Sequence, residues 1–184
     1  MAGDGPYFQV RPVILIAIGS NLASEALGTP AQICTRALAR LNSGDVRVTA
    51  VSAFYETAPV PASDQPWFVN AVARVETGLS PAALLSRLHE VEKEFGRMRR
   101  QLNEARVLDL DLLDYKGMFQ EGPPILPHPR MGERAFVLYP LRDVAPHWRH
   151  PVHGATVSDL IGALTPGQGI RPLAGSVPRL SGLE

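Results

Sequence analysis

Arg106-Val-Leu-Asp-Leu-Asp-Leu-Leu113 sets two carboxylates two residues apart inside an otherwise aliphatic run. Such a run reads as a strand, and side chains two apart on a strand share a face. Asp109 and Asp111 then look the same way, roughly 6–7 Å apart at the Cβ level, while Leu108, Leu110 and Leu112 point into a core. The chain must therefore build a sheet with one buried face and, at this point, one face open to something polar. Two like charges on a half-buried face are costly unless positive charge lies between them. The bland answer is a surface arginine paired with one acid and water around the other. The sharper answer is a hard cation, foremost Mg²⁺, which binds carboxylate oxygen together with substrate phosphates.

Arginines sharpen that reading. Arg97, Arg99, Arg100 and Arg106 crowd the segment before the acids, and planar guanidinium groups suit phosphate oxygens. A cation held from one side and guanidinium groups from the other make a polyphosphate site. The competing picture is a solvated loop whose arginines pair with Glu92, Glu94 and Glu104. A second segment, Pro127-His-Pro-Arg-Met131, fixes His128 between two prolines, where it can hold a donor toward a phosphate or merely cap a turn. Arg130 and Arg134 lie four apart and share a face if the chain turns helically there. Thr57, Asn70 and the rings of Phe68 and Phe136 flank a proline-punctuated loop and can line a pocket for a flat polar ring, although core packing is the commoner fate of phenylalanine.

Other chemistries find little support. There is no phosphate-binding glycine loop and no Gly-x-Ser-x-Gly. Cys34 sits in an apolar helical pattern, so a nucleophile is not expected. His147, His150 and His153 are regularly spaced but interrupted by Pro146 and Pro151, a poor zinc pattern. With 18 basic and 18 acidic residues among 184, no global field draws in nucleic acid or an anionic membrane. The Val13–Ile18 run is too short for a membrane span. A lone cysteine permits no intrachain disulfide and suits a reducing cytoplasm.

The elements read β-α-β-β-α-β. Val13–Ile18 is a strand stopped by Gly19-Ser20-Asn21. Thr29-Pro30 starts a helix to about Leu41, and Val46–Tyr55 is a second strand. Trp67–Val75 is a third strand, and Ser80-Pro81 starts a helix to about Phe95, ahead of the acid-bearing strand. Phe136–Tyr139 reads as a further strand and Val157–Leu164 as a short helix. The expectation is an α+β, ferredoxin-like core with an antiparallel sheet and additional C-terminal strand and helix elements. Residues 1–11 read as an extension, 12–165 as one domain and 166–184 as a tail.

Seven segments stand in a distinctive order and spacing: Ile18-Gly-Ser-Asn-Leu22, Ser52-Ala-Phe-Tyr-Glu-Thr57, Asp64-Gln-Pro66 through Asn70, Gly96-Arg-Met-Arg99, Arg106-Val-Leu-Asp-Leu-Asp111, Pro127-His-Pro-Arg-Met131 and Glu133-Arg-Ala-Phe-Val-Leu138. Together they resemble the 6-hydroxymethyl-7,8-dihydropterin pyrophosphokinase family of folate biosynthesis. The resemblance implies transfer of pyrophosphate from ATP to the pterin hydroxymethyl oxygen, with AMP leaving. It implies two Mg²⁺ ions on Asp109 and Asp111, and Arg97 and Arg106 steadying the transferring group. Arg99, Arg106, His128 and Arg134 would bind ATP, while Thr57, Asn70, Phe68 and Phe136 would bind the pterin. The expected protein is a cytoplasmic monomer without nucleic-acid or membrane partners. The chain departs from the family where Arg-Trp-Gly-Pro-Arg is common: it carries Asn103-Glu-Ala-Arg106, one residue shorter and without the tryptophan. Ala58 stands where proline is common, and Arg100 where lysine is. Two rivals remain. One is an RNA-binding module, which shares the strand order; the other is a silent relative that binds ATP or pterin without turning it over.

Overall fold

Thr29 and Ser80, each followed by proline, start the two helices that form one layer. Thr29 and Gln32 make a reciprocal capping box at the head of α1 (Pro30–Leu41), and the Ser80 side chain accepts the amide of Ala83 at the head of α2 (Pro81–Glu94). These bonds satisfy amide donors that a helix start otherwise leaves open. Ile33, Cys34, Ala37, Leu38 and Leu41 recur at helical spacing and are buried, as are Leu84, Leu88 and Val91 of α2.

The computed structural model describes residues 12–96 and 106–175. These form a six-stranded sheet of β1 (Ile14–Ser20), β2 (Val46–Val51), β3 (Tyr55–Thr57), β4 (Phe68–Thr77), β5 (Asp109–Tyr115) and β6 (Ile170–Pro172), in the order β5-β1-β4-β3-β6 with β2 also on β4. Every pairing is antiparallel. The expected βαββαβ order holds, with its second strand in two pieces. Val51 lies opposite Ala73 and Tyr55 opposite Asn70, so three residues on one side face two on the other. The extra residue breaks the strand at Ser52–Phe54, and Ser52 bridges the gap by exchanging bonds with Val72 through its amide and hydroxyl.

Three further expectations change. The first strand does not stop at Gly19, because Gly19 and Ser20 still pair with Asn70 and Val69. Phe136–Tyr139 is not a strand but part of α3 (Ala135–Val144). Its buried positions, Val137, Leu138, Leu141 and Val144, have helical spacing that a four-residue β-rich window does not reveal. Within the expected tail, Ile170–Pro172 pairs with β3 as an edge strand. The short helix near residue 157 is present as α4 (Val157–Gly162).

Helices cover both faces of the sheet. Ile14, Ile16, Ile18, Ala71, Ala73, Leu108, Leu110 and Leu112 pack with α1 and α2. Leu15, Val72 and Leu113 pack on the other face with Val137, Leu138, Leu141 and Trp148. An RNA-binding module leaves its sheet face open for bases; here α3 occupies it. A bulge in β5 serves this second core. The register slips between Leu112 and Asp114, so Leu113 and Asp114 both turn toward α3, where buried Asp114 accepts bonds from the Trp148 indole and the Gly117 amide. Among the described residues no helix is long and apolar enough to cross a membrane.

Candidate active site

The face that carries α3 also carries the candidate residues: Asp111 in the row that runs under the helix through Val72, and Asp109 and Asn70 in the next row. Leu108, Leu110 and Leu112 are buried on the α1/α2 side, so Asp109 and Asp111 point to the α3 side, as their spacing predicts. Gly19 is the direct partner of Asp109 on one side and of Asn70 on the other. Asn70 in turn faces Tyr55, and Ala17 lies between Asp111 and Val72. With strands about 4.8 Å apart, Asp109 and Asn70 stand roughly 10 Å apart, separated by a residue with no side chain. Asn70 leans over that space: a Cβ on Gly19 would lie 2.4 Å from its Oδ1.

On the acid side, Arg106 donates to Asp109 Oδ2 at 2.7 Å. Among the described residues, Asp109 Oδ1 and Ser20 Oγ are buried without a hydrogen bond. Glu92, 2 % exposed, accepts the amide of Leu110 at 2.8 Å and so holds the backbone between the two acids along the sheet edge. Glu94 pairs with Arg40. Arg106 is fixed through its backbone, which donates to Asn21 Oδ1 at 2.8 Å and accepts from the Asn21 amide at 3.1 Å.

The basic residues converge on the same acids. His128 is tied by its amide to the Leu113 carbonyl at 2.8 Å, and its Nδ1 accepts the Arg130 amide at 3.2 Å. That leaves the proton of a neutral ring on Nε2. Burial holds the His128 pKa below its ordinary value, with Asp111 opposing and Arg134 and Arg130 reinforcing. The Arg134 pKa is also lowered, first by burial and then by Arg130, while Asp111 and Asp109 pull it back. Arginine stays charged regardless. Arg130 and Arg134 flank a 3₁₀ turn (Met131–Glu133) rather than sharing a helix face, yet Arg134 feels the charge of Arg130. The Arg134 guanidinium lies 5.3 Å from the Phe136 ring centre.

The residues expected to line a ring pocket come from β3, β4 and α3. Asn70 donates to Thr57 Oγ1 at 2.7 Å, and both side chains are buried. Phe68 lies opposite Thr57, and Phe136 comes from the first turn of α3; both rings are half-buried. The structure thus gathers Thr57, Phe68, Asn70, Asp109 and Asp111 on one sheet face and brings Arg106, His128 and Arg134 into the field of the acids. Arg97 and Arg99 lie outside the described residues.

Gly19 and Asn21 join the candidate site, although the sequence reading gives them no more than the end of a strand and a place in the family-like segment Ile18–Leu22. Asn21 is buried, and its carboxamide nitrogen donates to Gln65 Oε1 and the Pro66 carbonyl, both at 3.2 Å. One side chain therefore joins the Arg106 backbone to the proline loop ahead of Phe68. Its signal was a polar residue directly after a buried strand. His150 and His153 lie elsewhere, stacked at 3.8 Å, and each Nδ1 accepts an amide of its own loop.

Residues 15–146 match the family model described as 7,8-dihydro-6-hydroxymethylpterin-pyrophosphokinase (HPPK). A Pseudomonas aeruginosa protein named 2-amino-4-hydroxy-6-hydroxymethyldihydropteridine pyrophosphokinase is 40% identical over 164 residues, covering 89% of this chain and 98% of that protein. The Pneumocystis carinii folic acid synthesis protein fol1 is 36% identical over 79% of this chain, which spans only 19% of that longer protein. Among solved structures, a Plasmodium falciparum HPPK-DHPS shares the fold with a TM-score of 0.64 at 14% identity, over 82% of this chain and 43% of the other.

Proposed function

The chain belongs to the 7,8-dihydro-6-hydroxymethylpterin-pyrophosphokinase family, and from that premise we infer that it moves the pyrophosphoryl group of ATP onto the hydroxymethyl oxygen of 6-hydroxymethyl-7,8-dihydropterin in folate biosynthesis. The observation that carries the reading is the row Asp109–Gly19–Asn70. It sets an acidic, arginine-flanked pole and an amide-bearing pole on one face with open backbone between them.

At the amide pole, Asn70 and Thr57 bond the edge of the pterin, and Phe68 and Phe136 lie against its faces. At the acid pole, Asp109 and Asp111 would hold two Mg²⁺ ions. Two carboxylates with no third acidic, histidine or cysteine ligand among the described residues fit an ion that completes its shell with phosphate and water. When bound, the ions neutralise charge on the phosphate oxygens and favour ionisation of the pterin hydroxyl. Arg106 and Arg97 steady the transferring group. Arg99 and Arg134 take the remaining phosphate charge, and His128, neutral by burial, offers its Nε2 proton to a phosphate oxygen. The hydroxymethyl oxygen forms a bond to the β-phosphorus and gives its proton to solvent. The bond from that phosphorus to the α,β-bridging oxygen breaks, and AMP leaves with that oxygen. The reading extends to a cytoplasmic monomer with a single catalytic domain, which starts near residue 12 and runs past the expected end at 165 to include the strand Ile170–Pro172; its support is an ordinary globular composition and a sheet covered on both faces.

Incubation with Mg²⁺, ATP and the dihydropterin, followed by nucleotide separation, tests the mechanism. The expected product is AMP, formed only with Mg²⁺ and almost abolished in Asp109→Ala and Asp111→Ala. ADP as product, or full activity in either variant, refutes it; no turnover by the intact protein identifies a silent relative.

A further inference from the structure

Helix α3 has no cap of its own. Its N-cap residue, Arg134, makes no side-chain capping bond, although a helix start normally needs an acceptor for its first amides. The acceptor comes from 33 residues downstream: the Ala135 amide donates to Gln168 Oε1 at 2.9 Å. The other end of the same carboxamide, Nε2, donates to the Glu133 carbonyl at 2.9 Å. Gln168 thus grips the backbone immediately before and after Arg134, one residue from Phe136.

The residues that follow Gln168 fasten the opposite wall. Gly169 accepts the Ala58 amide at 2.9 Å, and Ile170 and Arg171 pair with Thr57 and Glu56. The Arg171 guanidinium bonds Glu56 at 2.6 Å and lies 5.0 Å from the Trp67 ring centre. Gly169 is pressed between Ala58 and Trp67, where a Cβ would lie 3.3 Å from each. One short strap therefore ties the turn that carries Arg134 and Phe136 to the strand that carries Thr57. An aromatic sandwich needs its walls about 7–8 Å apart, two van der Waals contacts. A fixed bridge between the walls sets such a gap.

We propose that Gln168 is a positioning residue of the pterin pocket, setting the place of Phe136 and Arg134 relative to Thr57 by capping α3 from the C-terminal strap. The proposal rests on the functional reading above, since it takes Phe136 and Thr57 as pterin contacts. Gln168 touches neither substrate. Its loss loosens binding rather than the chemical step.

The test compares Gln168→Ala with Gln168→Glu, which keeps an acceptor for the Ala135 amide, in steady-state assays and in hydrogen–deuterium exchange. In Gln168→Ala the KM for the dihydropterin rises about fivefold, the effect of losing one cap bond, while kcat stays within twofold. Amides of residues 135–139 exchange faster and those of 157–162 are unchanged. Gln168→Glu keeps the Ala135 bond but sets a carboxylate oxygen against the Glu133 carbonyl, so its KM falls between those of the native and alanine proteins. Gln168→Ser, a milder truncation, is read in the same way as the alanine variant. An unchanged KM in Gln168→Ala, a loss confined to kcat, or an equal loss in Gln168→Glu overturns the proposal. If the native protein forms no AMP, the functional reading fails, and exchange alone decides this inference: unaltered rates at residues 135–139 sink it.

Discussion

Replacing Gly19 with alanine adds one carbon at the midpoint between the two poles. Gly19 lies within a regular strand, so alanine meets no backbone penalty and the effect is steric. The new Cβ would fall 2.4 Å from Asn70 Oδ1, where ordinary contact begins near 3.4 Å. The Asn70 carboxamide must therefore give way by about 1 Å. It has little room, being buried and bonded to Thr57 at 2.7 Å. Translation compresses that bond and rotation breaks it. A buried polar group that loses its partner costs about 1–3 kcal/mol, which corresponds to roughly a 5- to 150-fold rise in the KM for the dihydropterin. The KM for ATP should hardly move. A double-mutant cycle with Asn70→Ala isolates the cause. Asn70→Ala removes the atom that clashes, so adding Gly19→Ala to it should cost less than twofold further. If the glycine substitution costs as much in the alanine background as in the native one, the clash is not the cause and the geometry across Gly19 has been misread.

Acidification should weaken the fold through His128. Its folded pKa lies below the ordinary 6.5, chiefly through burial, so the unfolded chain binds the proton first. The contribution is complete above pH 6.5 and is lost as pH falls through the depressed folded value. Thermal unfolding at pH 7 and pH 5 should show a smaller acid loss in His128→Asn; an identical loss contradicts this. The Cys34 thiol, buried in α1 and pushed up to about 12 by that burial, should resist a thiol reagent at pH 8 until the protein is unfolded; rapid labelling of the native state would count against it. Trp148→Phe removes the indole donor to Asp114, a buried carboxyl whose pKa burial raises. We expect a loss of about 1–3 kcal/mol in denaturant unfolding with kcat unchanged, and a variant as stable as the native protein would disprove it.

What could be read in the sequence was whatever repeats over a few residues. The alternation around Asp109 and Asp111 gave their shared face, and Thr29-Pro30 and Ser80-Pro81 gave both helix starts, because caps and pleats are local devices. Phe136 was misplaced on a strand because Phe-Val-Leu-Tyr is β-rich, and Pro140 masks the helical period that continues to Val144. The proline also removes a helix bond that would end on the Phe136 carbonyl. The break at Ser52 depends on the count of residues on β4, and β6 is three residues long, held by Glu56 and Thr57 more than a hundred positions away. The roles of Asn21 and Gln168 were not legible for the same reason: their partners are distant in the chain. Asn21 carries only a weak local mark, a polar residue directly after a buried strand.

The Asp109–Gly19–Asn70 row has a mechanical consequence. Two interstrand hydrogen-bond spacings set the gap between its ends, and that ladder is among the stiffest lengths a protein owns. Side-chain rotamers play no part in it. A site gauged in this way discriminates by reach. If the pterin and the phosphates bind at the two ends as proposed, a pterin whose hydroxyl stood one methylene farther out should react poorly, because the strand spacing between the ends does not adjust. Core substitutions that leave the ladder paired would lower stability well before they altered the calibration.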